Sequence, residues 1–227
     1  MTNISITAIS DLHGHYPKLE GGDLLIVAGD LTTRDLPCER LEFLEWLAYQ
    51  DYKRKIFIAG NHDNSLVNQS FKKTREDAVD YLCDSGTQYE GLKIWGSPWT
   101  LRFPGMNPSC MAFTCETEEH LAEKWAMIPD DVDILITHSP IAGFLDRVED
   151  YLNGKILNVG STSLKQRIWS MENPPKLIVC GHIHEGYGKT FDTWYEFSND
   201  EFEMIIVNAS HVNERYRPVN KPIRIEL

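Results

Sequence analysis

The sequence lacks long apolar runs and a basic excess, and each absence excludes a class of protein. Its longest uninterrupted apolar runs, such as Leu24–Ala28 and Met204–Val207, fall far short of the about 20 residues that a membrane-spanning helix needs. The formal net charge of −12 argues against a nucleic-acid polymer as partner, because such binding requires a basic surface. The N-terminus also lacks the basic and apolar regions of a secretory signal. We therefore expect no membrane association and no binding of nucleic-acid polymers.

Cysteine is scarce as well. The five cysteines, Cys38, Cys83, Cys110, Cys115 and Cys180, form an odd set without a Cys-x-x-Cys pair. This pattern indicates neither a disulfide framework nor a thiolate zinc site. Reduced, buried thiols are typical of cytosolic proteins, so the sequence predicts a cytoplasmic protein.

Length and composition are those of an ordinary globular domain. The 227 residues include 42% hydrophobic and 25% charged residues, which excludes wholesale disorder and fibrous structure. No repeat, low-complexity tract or polar linker divides the chain. We expect one domain over residues 1–227.

Short β-rich runs alternate with helix-like stretches. Strands are predicted over Ile4–Ser10, Leu24–Gly29, Lys55–Gly60, Leu92–Gly96, Asp133–Thr137, Lys176–Gly181, Glu203–Ala209 and Pro222–Leu227. Helices are predicted over Glu39–Gln50, Ser70–Cys83 and Thr117–Met127. The aperiodic stretch Pro98–Cys115 is predicted to be a long loop that shapes a pocket or packs on itself. The alternation, with Ile, Leu and Val on both strand faces, predicts an α/β fold whose sheets are covered by helices.

Five of the predicted strands are each followed by side chains that can ligate a metal ion. These side chains are Asp11, His13, Asp30, Asn61, His138, His182 and His184. A lone histidine after a strand is more often structural, and a Gly-Asp pair is usually a turn. In open α/β sheets, however, the carboxyl edge of the strands is where ligands bind. Five such endings in one chain therefore favour a metal site over turn chemistry.

The types of ligand favour two metal ions. Carboxylate, amide and imidazole donors without thiolate suit Mn²⁺, Fe or Zn²⁺. Seven side chains are too many for one tetrahedral ion and suit two ions that share a bridging carboxylate. A two-metal centre clamps the attacking and departing oxygens of an in-line displacement, which makes phosphate-ester hydrolysis the natural chemistry.

Local spacing supports the same interpretation. Asp11 and His13, like His182 and His184, are two residues apart, which places each pair on one side of an extended chain. The glycines that precede the ligands are expected to let the backbone turn sharply; they are Gly29, Gly60 and Gly181.

The order of these blocks resembles the calcineurin-like metallophosphoesterase superfamily. The blocks are Asp11-Leu12-His13, Gly29-Asp30, Gly60-Asn61-His62-Asp63, Thr137-His138 and Gly181-His182-Ile183-His184. Three further stretches, Ile94–Trp99, Gly181–Gly188 and Val207–Ser210, are similar to the metallophosphoesterase-domain-containing phosphodiesterases. The resemblance implies a four-layer αββα sandwich, in which helices flank two mixed β-sheets.

The resemblance also implies a role for each residue. One metal would be bound by Asp11, His13 and His184, the other by Asn61, His138 and His182, and Asp30 would bridge both. His62 would stand beside the substrate as a proton donor or phosphate stabiliser. Asp63, grouped with His62 in the catalytic site, would support the ligands from behind.

The leading hypothesis is a dinuclear metal-dependent phosphoesterase that acts on small nucleotide or aryl phosphodiesters. A hydroxide bridging the two ions would attack phosphorus in line. Mn²⁺ is the expected metal, with Fe, Zn²⁺, Mg²⁺ and Co²⁺ as alternatives. The rival functions are a phosphomonoesterase or protein phosphatase at the same site, a nuclease, which the charge disfavours, and a metal-free interaction scaffold, which the complete ligand set disfavours. A small phosphoester is the expected partner, and the sequence leaves the oligomeric state open.

Several further residues are candidates for substrate contact. Arg34 can grip a phosphate oxygen bidentately or pair with Asp35 at the surface. His211 can line the pocket, although a structural role is favoured. The aromatic residues Trp99, Phe103 and Tyr187 can stack on an aryl group or nucleobase, but isolated aromatics are more often packing residues.

Overall fold

The computed structural model describes residues 3–67, 78–103, 105–150, 154–195 and 201–227. The strands are β1 (Ser5–Ile9), β2 (Gly22–Ala28), β3 (Tyr52–Ile58), β4 (Val79–Tyr81), β5 (Ser85–Tyr89), β6 (Leu92–Ser97), β7 (Thr100–Leu101), β8 (Thr114–Cys115), β9 (Ile134–Thr137), β10 (Arg147–Asp150), β11 (Lys155–Asn158), β12 (Leu177–Cys180), β13 (Gly188–Tyr195), β14 (Glu201–Asn208) and β15 (Ile223–Glu226). The α-helices are α1 (Pro37–Tyr49), α2 (Glu118–Trp125) and α3 (Thr162–Trp169).

Most of the strands form two large mixed sheets with parallel centres. The first sheet has the order β15-β1-β2-β3-β4, in which only β15 runs antiparallel to its neighbour. The second has the order β13-β14-β12-β9-β6-β5, and its outer strands β13 and β5 are antiparallel to the rest. The parallel strands of each sheet therefore end at a common carboxyl edge.

The apolar side chains divide into three clusters that define four layers. A central cluster between the sheets includes Ile26 and Val179, which are fully buried. Helix α1 packs Phe43 on the outer face of the first sheet, and α2 and α3 pack Trp125 and Ile168 on the outer face of the second. Each buried side chain of this size contributes about 1.5–3 kcal/mol. The predicted four-layer αββα sandwich is confirmed.

The loop between β2 and α1 is held by the start of the helix. Pro37 occupies the first helical turn, where its missing N–H leaves no donor unsatisfied. The Glu39 carboxylate accepts the backbone N–H groups of Leu36 at 2.9 Å, Arg34 at 3.1 Å and Thr33 at 3.3 Å. These bonds satisfy backbone donors and fix the segment that follows Asp30.

The eight predicted strands are confirmed, with ends that shift by a few residues, and so are the helices predicted around α1 and α2. The helix predicted over Ser70–Cys83 is wrong at its end, where Val79–Tyr81 forms β4; residues 70–77 lie outside the described residues. Pairing of Phe57 with Tyr81 extends the first sheet and overrides the local helical pattern. Helix α3, which the sequence analysis missed, begins where the Ser161 hydroxyl accepts the N–H of Leu164.

Two other expectations need correction. The stretch Pro98–Cys115 contains the short parallel pair β7 and β8, and within it Trp99 packs edge to face against the buried ring of Phe113. The five cysteines are free as expected, but Cys38, at the start of α1, is exposed rather than buried. Within the described ranges, no helix is long and apolar enough to cross a membrane.

Candidate metal centre

The predicted ligands converge where the carboxyl edges of the two sheets meet. They follow β1, β2 and β3 in the first sheet and β9 and β12 in the second. A parallel bridge between Ser10 and Ser210 joins the sheets at this point. The Ser210 hydroxyl also donates to Asp11 Oδ2 at 2.8 Å. One edge of the sandwich thus gathers side chains that are up to 173 residues apart, from Asp11 to His184.

Asp30 lies at the centre of this cluster. Its Oδ2 atom is 3.4 Å from His138 Nε2, 3.6 Å from His13 Nε2 and 3.9 Å from His62 Nε2. Its Oδ1 atom accepts the backbone N–H of His62 at 2.9 Å. A buried carboxylate is therefore shared among imidazoles that come from both sheets.

On one side of Asp30, three side chains meet closely enough to hold a metal ion. They are Asp11, His13 and His184, whose ligand atoms lie within 4.8 Å of one another. The Nε2 atom of His184 is 3.3 Å from Asp11 Oδ1 and 3.4 Å from His13 Nε2.

On the other side, His138 and His182 form a second group with Asp30. The Asn61 side chain joins this group, because its Oδ1 lies 3.2 Å from His138 Nε2. A third group contains His13, Asp30 and His62, so His62 is close enough to a candidate metal position to be a ligand itself.

Two of the imidazole rings, those of His138 and His184, are oriented as metal ligands are. His138 Nδ1 lies 2.9 Å from the Ala28 carbonyl, and His184 Nδ1 lies 3.1 Å from the Asn213 carbonyl. A hydrogen bond from Nδ1–H to a carbonyl fixes the tautomer and leaves Nε2 free to bind a metal. In each case that Nε2 faces the carboxylates. The donor set therefore fits divalent metal ions.

The surroundings of Asp11 and Asp30 favour the anionic form of both carboxylates. Burial is the largest single influence on Asp11 and raises its pKa, but the hydrogen bond and charge of His184 together with the charge of His138 outweigh it and hold that pKa below its usual range. Burial is the largest single influence on His138 and lowers its pKa, but the charge and hydrogen bond of Asp30, together with the charge of Asp11 and the Ala28 carbonyl, outweigh it and raise the pKa to about 9. For His182, burial and the nearby His138 lower the pKa to about 3. Buried anions of this kind need compensating positive charge.

Four of the predicted ligands have a left-handed backbone. Their φ values are 51° for Asp11, 42° for His13, 50° for Asp30 and 67° for His182. Residues other than glycine rarely adopt this region, and such strain clusters at functional sites. The expectation that each i, i+2 pair lies on one side of an extended chain is therefore wrong. The pair Asp11 and His13 still converges, through tight turns, whereas His182 and His184 lie in different groups.

The glycines before the ligands serve two different purposes. Gly29 has a φ of 99°, as expected for a sharp turn. Gly60 and Gly181 do not have a positive φ. Instead, a Cβ on Gly60 would overlap Asp30 Oδ1, and a Cβ on Gly181 would overlap the side chains of Ser10 and Asp11. Space for the carboxylates, and not backbone freedom, requires glycine at these two positions.

Gly60→Ala is expected to weaken metal binding about 10–100-fold, the loss typical when groups that orient ligands are disturbed. The added methyl group would push the Asp30 carboxylate out of place. Titration of the metal-depleted protein with Mn²⁺ measures the effect. Gly91→Ala is the control, because it is strained by a φ of 85° but meets nothing within 4 Å. Equal metal affinity in both variants would contradict this explanation.

Asp63 lies behind the cluster and ties two ligand loops together. Its Oδ2 accepts the N–H of Gly60 at 2.8 Å and of Leu31 at 3.1 Å. Its Oδ1 accepts the N–H and the hydroxyl of Thr32 at 3.2 Å and 3.1 Å. Both carboxylate oxygens are therefore occupied by the loops that carry Asp30 and Asn61.

Asp63→Asn is expected to lower the free energy of unfolding by about 2–3 kcal/mol. The new amide NH₂ would face backbone N–H donors, and buried donors left unsatisfied cost about 1–3 kcal/mol each. Urea unfolding of the metal-depleted protein measures this loss. Thr32→Val, which removes only the hydroxyl that donates to Asp63, is expected to cost less. A larger loss of unfolding free energy in Thr32→Val than in Asp63→Asn would contradict this expectation.

The other predicted site residues lie outside the cluster. Arg34 is exposed and does not line the cavity described below, and Asp35 pairs with Arg40 at 3.3 Å instead. His211 is buried, and its Nδ1 lies 2.8 Å from the Asn220 carbonyl. Among the described residues, neither of these side chains contacts the predicted ligands.

A cavity of about 270 Å³ opens over the centre. The loop after β7 contributes Phe103, Met106 and Cys110 to its wall, and the loop after β14 contributes Tyr216. Cys110 Sγ is 3.4 Å from His62 Nδ1. Cys110 and Tyr216 could not be predicted as site residues from the sequence. They do not directly follow a predicted strand, and they do not repeat the spacing of the ligand blocks.

Comparison with known proteins identifies relatives along most of the chain. The model of the calcineurin-like phosphoesterase family matches residues 4–186. Metallophosphoesterase domain-containing protein 1 of Homo sapiens is 37% identical, over 96% of this chain and 69% of that protein, and its Mus musculus counterpart gives the same values. A solved crystal structure covers 99% of both chains with a TM-score of 0.62 and 14% identity, which shows likeness of fold alone.

Proposed function

Because the chain belongs to the calcineurin-like phosphoesterase family, we propose that it hydrolyses small phosphodiesters at a centre of two divalent metal ions. The observation that carries this proposal is the position of Asp30. Its carboxylate belongs both to a group with His13 and to a group with His138 and His182. A single carboxylate between two sets of donors is the arrangement that two neighbouring ions require.

The residues divide naturally into two sets of ligands. Asp11, His13 and His184 would hold one ion, and Asn61, His138 and His182 would hold the other, with Asp30 between them. When bound, such ions lower the pKa of a water molecule and neutralise charge on the phosphoryl oxygens. The mixture of oxygen and imidazole donors without thiolate suits Mn²⁺, Fe or Zn²⁺, and of these we propose Mn²⁺.

His62 is proposed to act on the leaving oxygen. Its Nδ1 lies 2.9 Å from the Thr33 carbonyl, which directs Nε2 towards Asp30 Oδ2 at 3.9 Å and the cavity that His62 lines. A protonated Nε2 there can donate to an oxygen that acquires charge as its bond to phosphorus breaks.

The charge of the cavity favours diesters over monoesters. Glu185 and Glu214 lie in its wall and place two negative charges around the position of the substrate. A phosphodiester carries one negative charge near neutral pH, whereas a phosphomonoester carries up to two, and like charges within a confined site repel each other. We therefore propose a phosphodiesterase, with phosphomonoesterase activity as the alternative outcome of the test.

The experiment compares bis(p-nitrophenyl) phosphate with p-nitrophenyl phosphate in wild-type protein and in His138→Ala. Metal-stripped protein reconstituted with Mn²⁺ is expected to prefer the diester, and His138→Ala to lose most of the activity on both. Elemental analysis is expected to find two ions per chain in the wild type. Activity that survives thorough metal stripping would contradict the proposal, and a preference for the monoester would favour the phosphatase.

The compartment stays a prediction. Five free cysteines are consistent with a reducing environment such as the cytoplasm, where we propose that the protein acts.

A further inference from the structure

Tyr216 is placed against the histidines of the centre from a loop that the ligand pattern does not include. Its ring centroid lies 4.8 Å from that of His13, 5.2 Å from that of His184 and 6.3 Å from that of His62. The residue nevertheless remains 47% exposed and lines the cavity. One part of the ring is thus fixed against the histidines while another part is open to a ligand.

The loop that carries Tyr216 is built rigidly. Asn213 Oδ1 accepts the backbone N–H groups of Arg215 at 3.0 Å and Arg217 at 3.1 Å. The Asn213 carbonyl accepts the N–H of Tyr216 at 2.8 Å, and the same carbonyl contacts His184 Nδ1. The loop therefore orients a predicted metal ligand and the tyrosine together.

The backbone of Tyr216 adopts a strained conformation while its ring lies against the histidines. Its φ is 57°, a left-handed value that is unusual for a bulky residue. Glycine would adopt this conformation without strain. Strain of this kind persists where the surrounding structure holds a side chain in a functional position.

A second exposed ring lies at the other end of the histidine cluster. The centroid of Phe103 is 6.3 Å from that of His182, and the residue is 50% exposed in the same cavity. Single exposed aromatic residues need no explanation. Two of them in the wall of one cavity, each beside a different group of ligands, offer apolar surface to a flat part of the substrate.

We propose that Tyr216 is a specificity-determining residue whose ring packs against an aromatic arm, an aryl group or a nucleobase, of the phosphodiester bound at the centre. This inference rests on the proposed function and adds the chemical class of one ester arm. Stacking of a base on an aromatic side chain strengthens binding by about 5- to 150-fold. A ligand with an aromatic arm should therefore bind at least about 10-fold more tightly than a ligand with a methyl group in the same place.

Two non-hydrolysable ligands isolate this contact. Phenylphosphonate and methylphosphonate, each used as its methyl monoester so that it carries the single charge of a phosphodiester, present the same group to the metal centre and differ only in the arm. Calorimetric titration of the Mn²⁺-loaded protein is expected to give a Kd for phenylphosphonate about 10-fold below that for methylphosphonate. Tyr216→Leu should abolish most of this ratio, and Tyr216→Phe should keep it, because the ring and not the hydroxyl makes the contact.

The control variant is Tyr49→Leu, which removes a tyrosine that is 80% exposed at the end of α1 and should leave the ratio unchanged. Nuclear Overhauser effects between the phenyl protons and the Tyr216 ring are expected in the wild type loaded with diamagnetic Zn²⁺ in place of paramagnetic Mn²⁺, and they do not depend on the folding of any variant. An equal loss of affinity for both ligands in Tyr216→Leu, or the absence of these effects, would overturn the inference. A wild-type protein that binds neither ligand would instead contradict the proposed function.

Discussion

Asp30→Asn is expected to remove at least one of the two metal ions and to lower kcat/KM more than about 10³-fold. Loss of a single electrostatic stabiliser already costs about 10²–10³-fold in kcat, and Asp30 is shared between two groups of donors. An amide keeps the shape of the side chain but loses its charge and offers only one oxygen. Elemental analysis and kinetics on bis(p-nitrophenyl) phosphate measure the two effects together.

The matched control for this variant lies on the same strand. Asp23 is near the start of β2, whereas Asp30 follows its end. Its carboxylate binds Lys53 at 2.7 Å and the Ser5 hydroxyl at 2.8 Å, away from the centre. Asp23→Asn should therefore leave metal content and kcat/KM unchanged. Retention of two ions and of full activity in Asp30→Asn would show that no ion depends on this carboxylate.

The convergence of the candidate ligands could be predicted from the sequence because of a general property of parallel sheets. Side chains that follow such strands share one edge whatever the order of the strands, so Asp11 and His138 could be grouped without knowledge of the topology. The family match over residues 4–186 confirms the predicted family resemblance, and the two large mixed sheets confirm the fold.

The contacts behind the ligands could not be predicted in this way. The carbonyl of Asn213 holds the His184 ring, but a backbone atom in an irregular loop leaves no signal in the residue types. Tyr216 lies 32 residues after His184 and belongs to no block of the pattern. The need for glycine at 60 arises from the volume of Asp30, which only the folded structure brings next to it.

The helix predicted over Ser70–Cys83 is wrong at its end for a related reason. Val79–Tyr81 forms β4 at the edge of the first sheet, where its pairing partner, β3, lies more than 20 residues earlier in the chain. A periodicity measured within a short window contains no information about such a partner. Local patterns therefore predict elements well when packing agrees with them, and fail where tertiary pairing decides.

His62→Ala is expected to slow diesters with basic leaving groups by about 10²–10⁴-fold, the size of a general acid contribution. Diesters of p-nitrophenol should be affected far less, because p-nitrophenolate leaves without a proton. The comparison therefore uses bis(p-nitrophenyl) phosphate and an alkyl or nucleoside diester, with the metal content measured for each preparation.

The metal content separates the two roles that the position of His62 allows. His62 lies in a group with His13 and Asp30, so a ligand role predicts fewer than two ions in His62→Ala and an equal loss of activity on both substrates. A proton donor predicts two retained ions and a loss that depends on the leaving group. Asn61→Ala, one residue earlier, is the contrasting variant: because Asn61 Oδ1 lies beside His138 Nε2, it should weaken metal binding and be partly rescued by excess Mn²⁺. An equal loss on both substrates with two ions retained would leave phosphate positioning as the role of His62 and exclude proton donation.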